Sequence, residues 1–275
     1  MPCSVDNVTY KLVIIGAGRM GSALAEGLLR AKWCEPSELA LIARSVETRS
    51  ALETRFPGVG VFASLEVVQI GDDTGAVLAV KPDQAEGMSR LAGAVGITRV
   101  LSVVAGLSTA RIEATFSGPV AVIRSMPNTP VLIGQGVTAM AGGAHVTSED
   151  LDWAESILGA VGTVVRVTER NIDAVTGLSG PMPAYLYLVV EALIEAGVHQ
   201  GLSREVSRTL VVDSFAGSGT LLKQTGESPE VLRAQVTSPG GTTAAGLRVL
   251  EQHAVRAAFL DAVAAAAERS RQLGR

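Results

Sequence analysis

The sequence predicts an α/β fold with a mostly parallel sheet over residues 1–168 and an all-α domain over residues 169–275. Three observations lead there. The apolar fraction is 47% and the aromatic fraction only 4%, so the core is built from Val, Leu, Ile and Ala, a mix suited to parallel strands under closely packed helices. Strand-length β-branched runs alternate with helical periodicity through the first part of the chain. From Glu169 onward the periodicity is helical and no strand-like run is evident.

The elements follow in order. Lys11–Ile15 is a short apolar run closed by glycines and reads as the first strand. Arg19–Arg30 carries Met20, Ala23, Leu24, Gly27 and Leu28 at helical spacing. Leu39–Ala43 reads as the second strand and Glu47–Arg55 as the helix after it. Val59–Ala63, Ala76–Val80, Val100–Val104 and Val120–Ser125 are further strands. Val137–Ala141 and Val161–Val167 flank a helix at Glu149–Leu158 and close this part. Strands spaced in this way imply parallel βαβ units with right-handed crossovers. Beyond Glu169, helices are expected at Pro183–Gln200, at Ser203–Gln224 with Ser203 as N-cap, at Ser228–Gln235, and from Thr242 to about Leu273.

Bulk properties narrow the function classes. A net charge of −4 with no long basic run argues against a nucleic-acid surface. The two cysteines, Cys3 and Cys34, make no disulfide framework, and no Cys/His group has metal-ligand spacing. His145, His199 and His253 have no partner at metal spacing and read as surface or core residues. Glu191 and Glu195, i and i+4 on one helix face, read as a solvated face or an interface contact. Residues 1–11 lack a basic stretch followed by an apolar one, so no signal peptide is expected and the cytoplasm is the expected location. Mean hydropathy is +0.34. Arg99, Glu191 and Glu195 interrupt the apolar runs, so no membrane span is expected. The apolar excess is expected to go into subunit contact, with the helical part as a dimerisation domain.

The most informative early segment is Gly16-Ala17-Gly18-Arg19-Met20-Gly21, between a strand and a helix. Gly16 permits the tight turn, Gly18 lets backbone approach a pyrophosphate, and Gly21 lets the helix pack on the strand. The helix N-terminus then offers free N–H groups and a positive dipole end. This is a dinucleotide-binding loop of the Rossmann type, in which Arg19 and Met20 contribute first-turn N–H groups. The second strand ends Ile42-Ala43-Arg44-Ser45, with no acid to accept ribose hydroxyls. A guanidinium and a hydroxyl suit a 2′-phosphate, so NADPH is favoured. NADH stays open, because Arg44 stacked on adenine would accommodate either cofactor.

Four further segments belong together: Ala79-Val80-Lys81-Pro82, Ser102-Val103-Val104-Ala105-Gly106, Arg124-Ser125-Met126-Pro127-Asn128-Thr129-Pro130, and Ser238-Pro239-Gly240-Gly241-Thr242-Thr243. With the glycine loop, this set resembles the pyrroline-5-carboxylate reductase family from Lys11 to about Gln272. The resemblance implies a Rossmann domain, a helical dimerisation domain, and a homodimer that in some members assembles further. It implies hydride transfer from NAD(P)H to the C=N carbon of a cyclic imino acid, giving L-proline from Δ1-pyrroline-5-carboxylate. Val80, Lys81, Pro82, Ala105 and Asn128 lie at strand ends where cofactor is expected, and Ser64 stands where the family commonly has a cofactor-side Asn. Two glycines before a helix make a carboxylate-binding nest. By resemblance, Ser238, Gly240, Gly241, Thr242 and Thr243 hold the substrate, and the Thr243 hydroxyl serves its ring nitrogen as the catalytic group.

One loop departs from the family. The usual Ser-Gly-Ser-Gly-Pro-Ala-Tyr is replaced by Ser179-Gly180-Pro181-Met182-Pro183-Ala184-Tyr185. Pro181 removes a donor and fixes φ, and Met182 adds bulk where glycine allowed a positive φ. Met182 is therefore expected at the substrate pocket, reshaping it. A paralogous reductase of another cyclic imine, and an NADPH-binding regulator without turnover, are the alternatives kept open.

Overall fold

A computed structural model of the chain describes residues 9–273; Cys3 lies outside the described residues. The strands are β1 (Leu12–Ile15), β2 (Leu39–Ile42), β3 (Gly60–Phe62), β4 (Gly75–Leu78), β5 (Arg99–Ser102), β6 (Ala121–Pro127), β7 (Gly136–Gly142) and β8 (Gly162–Arg166). The helices beside them are α1 (Arg19–Arg30), α2 (Val46–Arg55), α3 (Pro82–Ala94), α4 (Thr109–Glu113), α5 (Ser148–Gly159) and α6 (Ile172–Leu178). Then follow α7 (Met182–His199), α8 (Arg204–Thr225), α9 (Pro229–Gln235), α10 (Thr242–Gln252) and α11 (Val255–Leu273).

One sheet runs in the order β3-β2-β1-β4-β5-β6-β7-β8. All its pairings are parallel except β6 with β7. β1 is central, with Ile15 registered against Ile42 of β2 on one side and Leu78 of β4 on the other. The chain thus leaves β1 toward one edge and returns to the other side at β4, and the crevice beyond their carboxyl ends is where ligands gather in such sheets. Leu12, Val13, Ile14, Leu39, Leu41, Ala76 and Val77 are fully buried. Two apolar layers cover the sheet, one centred on Ile14, Leu24, Leu41 and Val77, the other on Val13, Ala40, Ala76 and Val100.

The described residues form two compact units, one running through Pro181 and resuming at Ala265, the other Met182–Ala264. The division expected after residue 168 follows the change in sequence texture; packing divides the chain later. The reason is α6, which packs on β6 and β7. A polar cluster adds to this. Arg124 of β6, only 5% exposed, donates from Nη2 to Asp173 Oδ1 at 3.0 Å, and Ser270 Oγ donates to the same oxygen at 2.8 Å. Glu169 lies 3.7 Å from Arg124 Nη1 and accepts from the Thr109 N–H and hydroxyl, both at 2.7 Å.

In the second unit α7 packs on α8, with Gly197 so close to Ser207 that a Cβ on Gly197 would meet its Oγ at 2.6 Å. Only Pro183, Ile194 and Ser207 are buried there. Leu188 and Leu260 are 66% and 72% exposed, and Tyr187, Leu210, Leu221 and Leu250 are exposed as well. One chain therefore leaves this unit with almost no core of its own.

One expectation needs correction. The last helix is not continuous from Thr242 to Leu273: it ends at Gln252 and restarts at Val255, because Ala254 takes a left-handed φ of +53° that no α-helix contains. The stretch Glu169–His199 contains an 18-residue window that is, by length and composition alone, apolar enough to cross a membrane, with mean hydropathy 1.3. It is not one helix, since Ser179–Pro181 separate α6 from α7, and its apolar side chains fall within the segment of large exposed hydrophobics. Helices α3 and α4 have no counterpart in the sequence-based expectations; Gly87 and Gly93 blur the periodicity of the first, and the second is a turn and a half long.

Candidate functional site

The glycine loop is built as its residues require. Gly16 has φ +99°, and a Cβ there would strike the Ala79 carbonyl and Val80 Cγ1, each at 2.7 Å. Gly21 faces the Gly16 carbonyl, which a Cβ would meet at 2.3 Å. Gly18 differs: its φ of −75° suits any residue, and a Cβ would meet nothing within 4 Å. Gly18 is thus a glycine the chain's own packing does not need, and it opens onto free space.

That space is a cleft of about 380 Å³ lined by Gly16, Gly18, Arg44, Thr48, Val80, Lys81 and Gln84, among others. It sits where the strand order reverses. The Gly16 and Ala17 N–H groups both donate to the Ile42 carbonyl at 3.1 Å, which ties the loop to β2. The N-terminus of α1 has Gly18 as N-cap and no side chain bonded to it, so its first N–H groups have no partner within the helix. Among the described residues six other N-termini are capped by a hydroxyl: Ser45, Ser64, Ser108, Thr147, Ser203 and Ser228 each accept a backbone N–H. The α1 terminus therefore has the open donors, the room and the absence of Cβ that a dinucleotide pyrophosphate requires.

Arg44 stands on the cleft wall, and its side chain makes no hydrogen bond or ion pair to the described residues. Ser45 does not line the cleft; its Oγ accepts the Thr48 N–H at 3.1 Å and donates to Thr48 Oγ1 at 2.9 Å. Thr48, Gln84 and Met88 line the cleft and were not singled out in the sequence. Thr48 was legible as one turn beyond Ser45; Gln84 and Met88, at i and i+4, needed α3, which starts without a side-chain N-cap, on Pro82 at N1 and Asp83 in its first turn. Glu47, in the first turn of α2, is held ionised: its own backbone N–H, then the Ser45 hydroxyl, lower its carboxyl below the ordinary range.

The remaining expected residues fall elsewhere. Arg19 and Met20 open α1 beside the cleft without lining it. Pro82 and Ala105 line a smaller cavity of about 200 Å³ with Gly106, Leu107 and Arg111. Ser64 Oγ caps a 3-10 turn and donates to Glu66 at 2.8 Å, so the hydroxyl is committed. Asn128 is committed too: Oδ1 accepts the Val137 N–H at 2.9 Å, which ties the end of β6 to β7, and Nδ2 lies 3.5 Å from Ser179 Oγ after α6.

In the second unit, Ser238–Gly241 form a β-turn with Pro239 at its second position and Gly240 at its third, φ +69°. The Gly241 N–H closes it onto the Ser238 carbonyl at 3.0 Å. That corrects one expectation, because the Gly241 donor is already spent. The N-terminus of α10 has no side-chain cap, so the Thr242 and Thr243 N–H groups are the open ones. Both residues are exposed in the single chain, and Met182 opens α7 in the same unit. Among the described residues no group of three His, Cys, Asp or Glu side chains could hold a metal.

Comparison with known proteins decides the family. Over 96% of this chain and 98% of its own, a pyrroline-5-carboxylate reductase of Corynebacterium melassecola is 42% identical. The chain belongs to the pyrroline-5-carboxylate reductase family. A relative of the same name from Arabidopsis thaliana is 38% identical over 96% of each chain. Residues 169–273 match the model described as pyrroline-5-carboxylate reductase dimerisation, and residues 11–106 match NADP oxidoreductase coenzyme F420-dependent. Among solved structures, the reductase of Coxiella burnetii superposes with TM-score 0.89 at 31% identity, covering 97% of this chain and 99% of its own. The Plasmodium falciparum enzyme, with NADP bound, gives 0.85 at 32% identity over 98% and 99%. As a member of this family the chain is an NAD(P)-dependent oxidoreductase acting on a CH–NH group, and its exposed apolar helices are its dimerisation domain.

Proposed function

We propose that the chain reduces Δ1-pyrroline-5-carboxylate to L-proline with NADPH, as a cytoplasmic homodimer able to assemble further. The observation that carries this is the full-length similarity to pyrroline-5-carboxylate reductases, which takes in both the dinucleotide cleft and the Ser238–Thr243 turn.

The roles follow from chemistry. Bound in the cleft, NADPH supplies a hydride to the imine carbon. The open N–H groups of α1, from Gly18, Arg19 and Met20, hold the pyrophosphate, and Gly18 makes room for it. Arg44 meets the 2′-phosphate as a planar cation. Val80, Lys81, Pro82 and Ala105 shape the floor for the rest of the dinucleotide. In the other unit the Thr242 and Thr243 N–H groups bind the substrate carboxylate at the α10 N-terminus. Gly240 gives the turn its left-handed corner, and Ser238 closes it. The Thr243 hydroxyl accepts from the protonated ring nitrogen, holding the proton where charge is lost as hydride arrives. An imine bound as the cation needs no strong acid, in keeping with a site whose open groups are N–H donors and a hydroxyl.

Thr243→Ala tests this. Losing one hydrogen bond to a charged group is expected to lower kcat/KM for the imine about 10- to 100-fold, with NADPH binding unchanged. An unaltered kcat/KM would remove Thr243 from the mechanism. Light scattering of the purified protein tests the dimer, and a monomer at micromolar concentration would refute it.

A second reading has an observation behind it. The Pro181–Met182 sequence follows a Gly180 packed so closely that a Cβ would meet the Thr176 carbonyl at 2.8 Å and Met126 Cε at 3.2 Å. Because Gly180 has no room to adjust, the Pro181 and Met182 that replace the family's Ser and Gly act directly on the loop, and the bulk of Met182 is what favours another ring size. NADPH oxidation rates on five- and six-membered cyclic imino acids separate the two readings, and fast turnover of the larger ring alone would establish the second.

A further inference from the structure

Arg49 closes the first turn of α2, and its backbone N–H donates to the Ser45 carbonyl at 3.1 Å. A cation at this end of a helix runs against the dipole, whose N-terminal end is positive. The Arg49 side chain nevertheless folds toward it. The explanation lies in the chain leaving β2. The Ile42 carbonyl is taken by Gly16 and Ala17. The next two carbonyls, of Ala43 and Arg44, both accept from Arg49 Nη1, at 3.0 and 2.6 Å. A guanidinium nitrogen carries two hydrogens, so one nitrogen can serve both. The Ala43 N–H meanwhile donates to the Phe62 carbonyl at 3.0 Å. Ala43 is thus held on both sides, and the backbone of Arg44 is held from the helix that follows it.

We propose that Arg49 is a positioning residue for cofactor selectivity: it clamps the Ala43–Arg44 backbone so that the Arg44 guanidinium is presented to the 2′-phosphate of NADPH. This rests on the reading of Arg44 as the 2′-phosphate contact. Arg44 is a long side chain without a partner among the described residues, so its reach toward a ligand is only as well defined as the backbone that carries it. Fixing that backbone before the ligand arrives removes ordering that binding would otherwise require. NADH, which lacks the phosphate, gains nothing from the clamp. Lysine keeps the charge of Arg49 and several donors on one nitrogen but lacks the planar guanidinium that sets their direction, so Arg49→Lys tests whether that fixed geometry makes the clamp.

The test measures kcat and the cofactor KM with NADPH and with NADH at saturating imine. The proteins are wild type, Arg44→Ala, Arg49→Ala, Arg49→Lys and the Arg44→Ala/Arg49→Ala double variant. Arg49→Ala is expected to raise the NADPH KM about tenfold, the size of one such interaction. Arg49→Lys should recover part of it. The NADH KM and both kcat values should move by less than about twofold. In the Arg44→Ala background, Arg49→Ala should have no further effect, since a residue that acts through another is silent without it.

Equal rises in KM for both cofactors would overturn the proposal in favour of a purely structural role. A full effect in the Arg44→Ala background would overturn it in favour of direct contact with the phosphate. If Arg44→Ala abolishes the NADPH preference while Arg49→Ala does nothing, the clamp fails and the Arg44 reading stands. If Arg44→Ala leaves the preference intact, both fall.

Discussion

Replacing Gly18 with alanine separates folding from cofactor binding. The backbone there has φ −75° and ψ −158°, open to alanine without strain, and the new methyl would touch no protein atom within 4 Å. In the free protein the substitution should therefore be neutral, or stabilising by about 0.4–1 kcal/mol through the stiffer unfolded chain. The same methyl projects into the cleft at the mouth of α1, where pyrophosphate must approach the backbone. Displacing a phosphate from even one N–H group forfeits a charge-assisted hydrogen bond of about 1.5–3 kcal/mol, which is about 10- to 150-fold in Kd. Gly21→Ala is the control with the opposite signature. Its methyl would lie 2.3 Å from the Gly16 carbonyl, and overpacking of this kind destabilises the free protein by about 1–3 kcal/mol. Urea unfolding of the free proteins and fluorescence titration with NADPH read both quantities. An NADPH Kd for Gly18→Ala within twofold of wild type, or a loss of stability like that of Gly21→Ala, would refute the assignment of this cleft.

Three further outcomes are expected. Ala254→Gly relieves a left-handed φ of +53° between α10 and α11 and should raise stability by about 1 kcal/mol in thermal unfolding; no gain would mean that the break is held by other contacts. Arg124→Met leaves Asp173 and Glu169 without their cation and should destabilise the protein by about 3 kcal/mol, the low end for a broken buried pair because both carboxylates are partly exposed; a loss below about 1 kcal/mol would show the cluster to be incidental. The Cys34 thiol is pushed up from 9.0 to about 11, first by burial and then by Glu38. At pH 8.5 iodoacetamide should label Cys34 far more slowly in the folded than in the urea-unfolded protein, with mass mapping to set Cys3 apart. Because the folded thiol holds its proton more tightly than the unfolded one, this group's contribution to stability is present below pH 9 and fades as pH rises toward 11. Equal labelling rates would contradict the burial.

Much of the site was legible because its requirements are local. A positive φ at Gly16, a proline and a glycine in the turn before α10, and a strand ending in Arg44 without an acid are properties of adjacent residues. The residues that escaped notice are those whose roles depend on neighbours distant in sequence or on an element with a faint pattern. Gln84 and Met88 needed α3, whose alanines and glycines show little contrast between faces. Ser45 and Ser64 looked like ligand contacts because a hydroxyl at a strand end suits both a phosphate and a helix N-terminus; the helices claimed them. Asn128 was claimed in the same way by the β6–β7 pairing.

The sequence by itself determined the alternation of strands and helices, the dinucleotide loop, the absence of an NAD-type acid and the helical character of the second part, because each is written in periodicity or in the stereochemistry of single residues. Only the tertiary structure decided which glycine serves folding and which serves the ligand, since Gly16, Gly18 and Gly21 are alike as letters and differ only in what a Cβ would meet. It also decided that Arg49 grips the carbonyls of Ala43 and Arg44 while the Arg44 side chain has no partner among the described residues, since which arginine folds back and which stays open depends on the carbonyls that the turn after β2 leaves free.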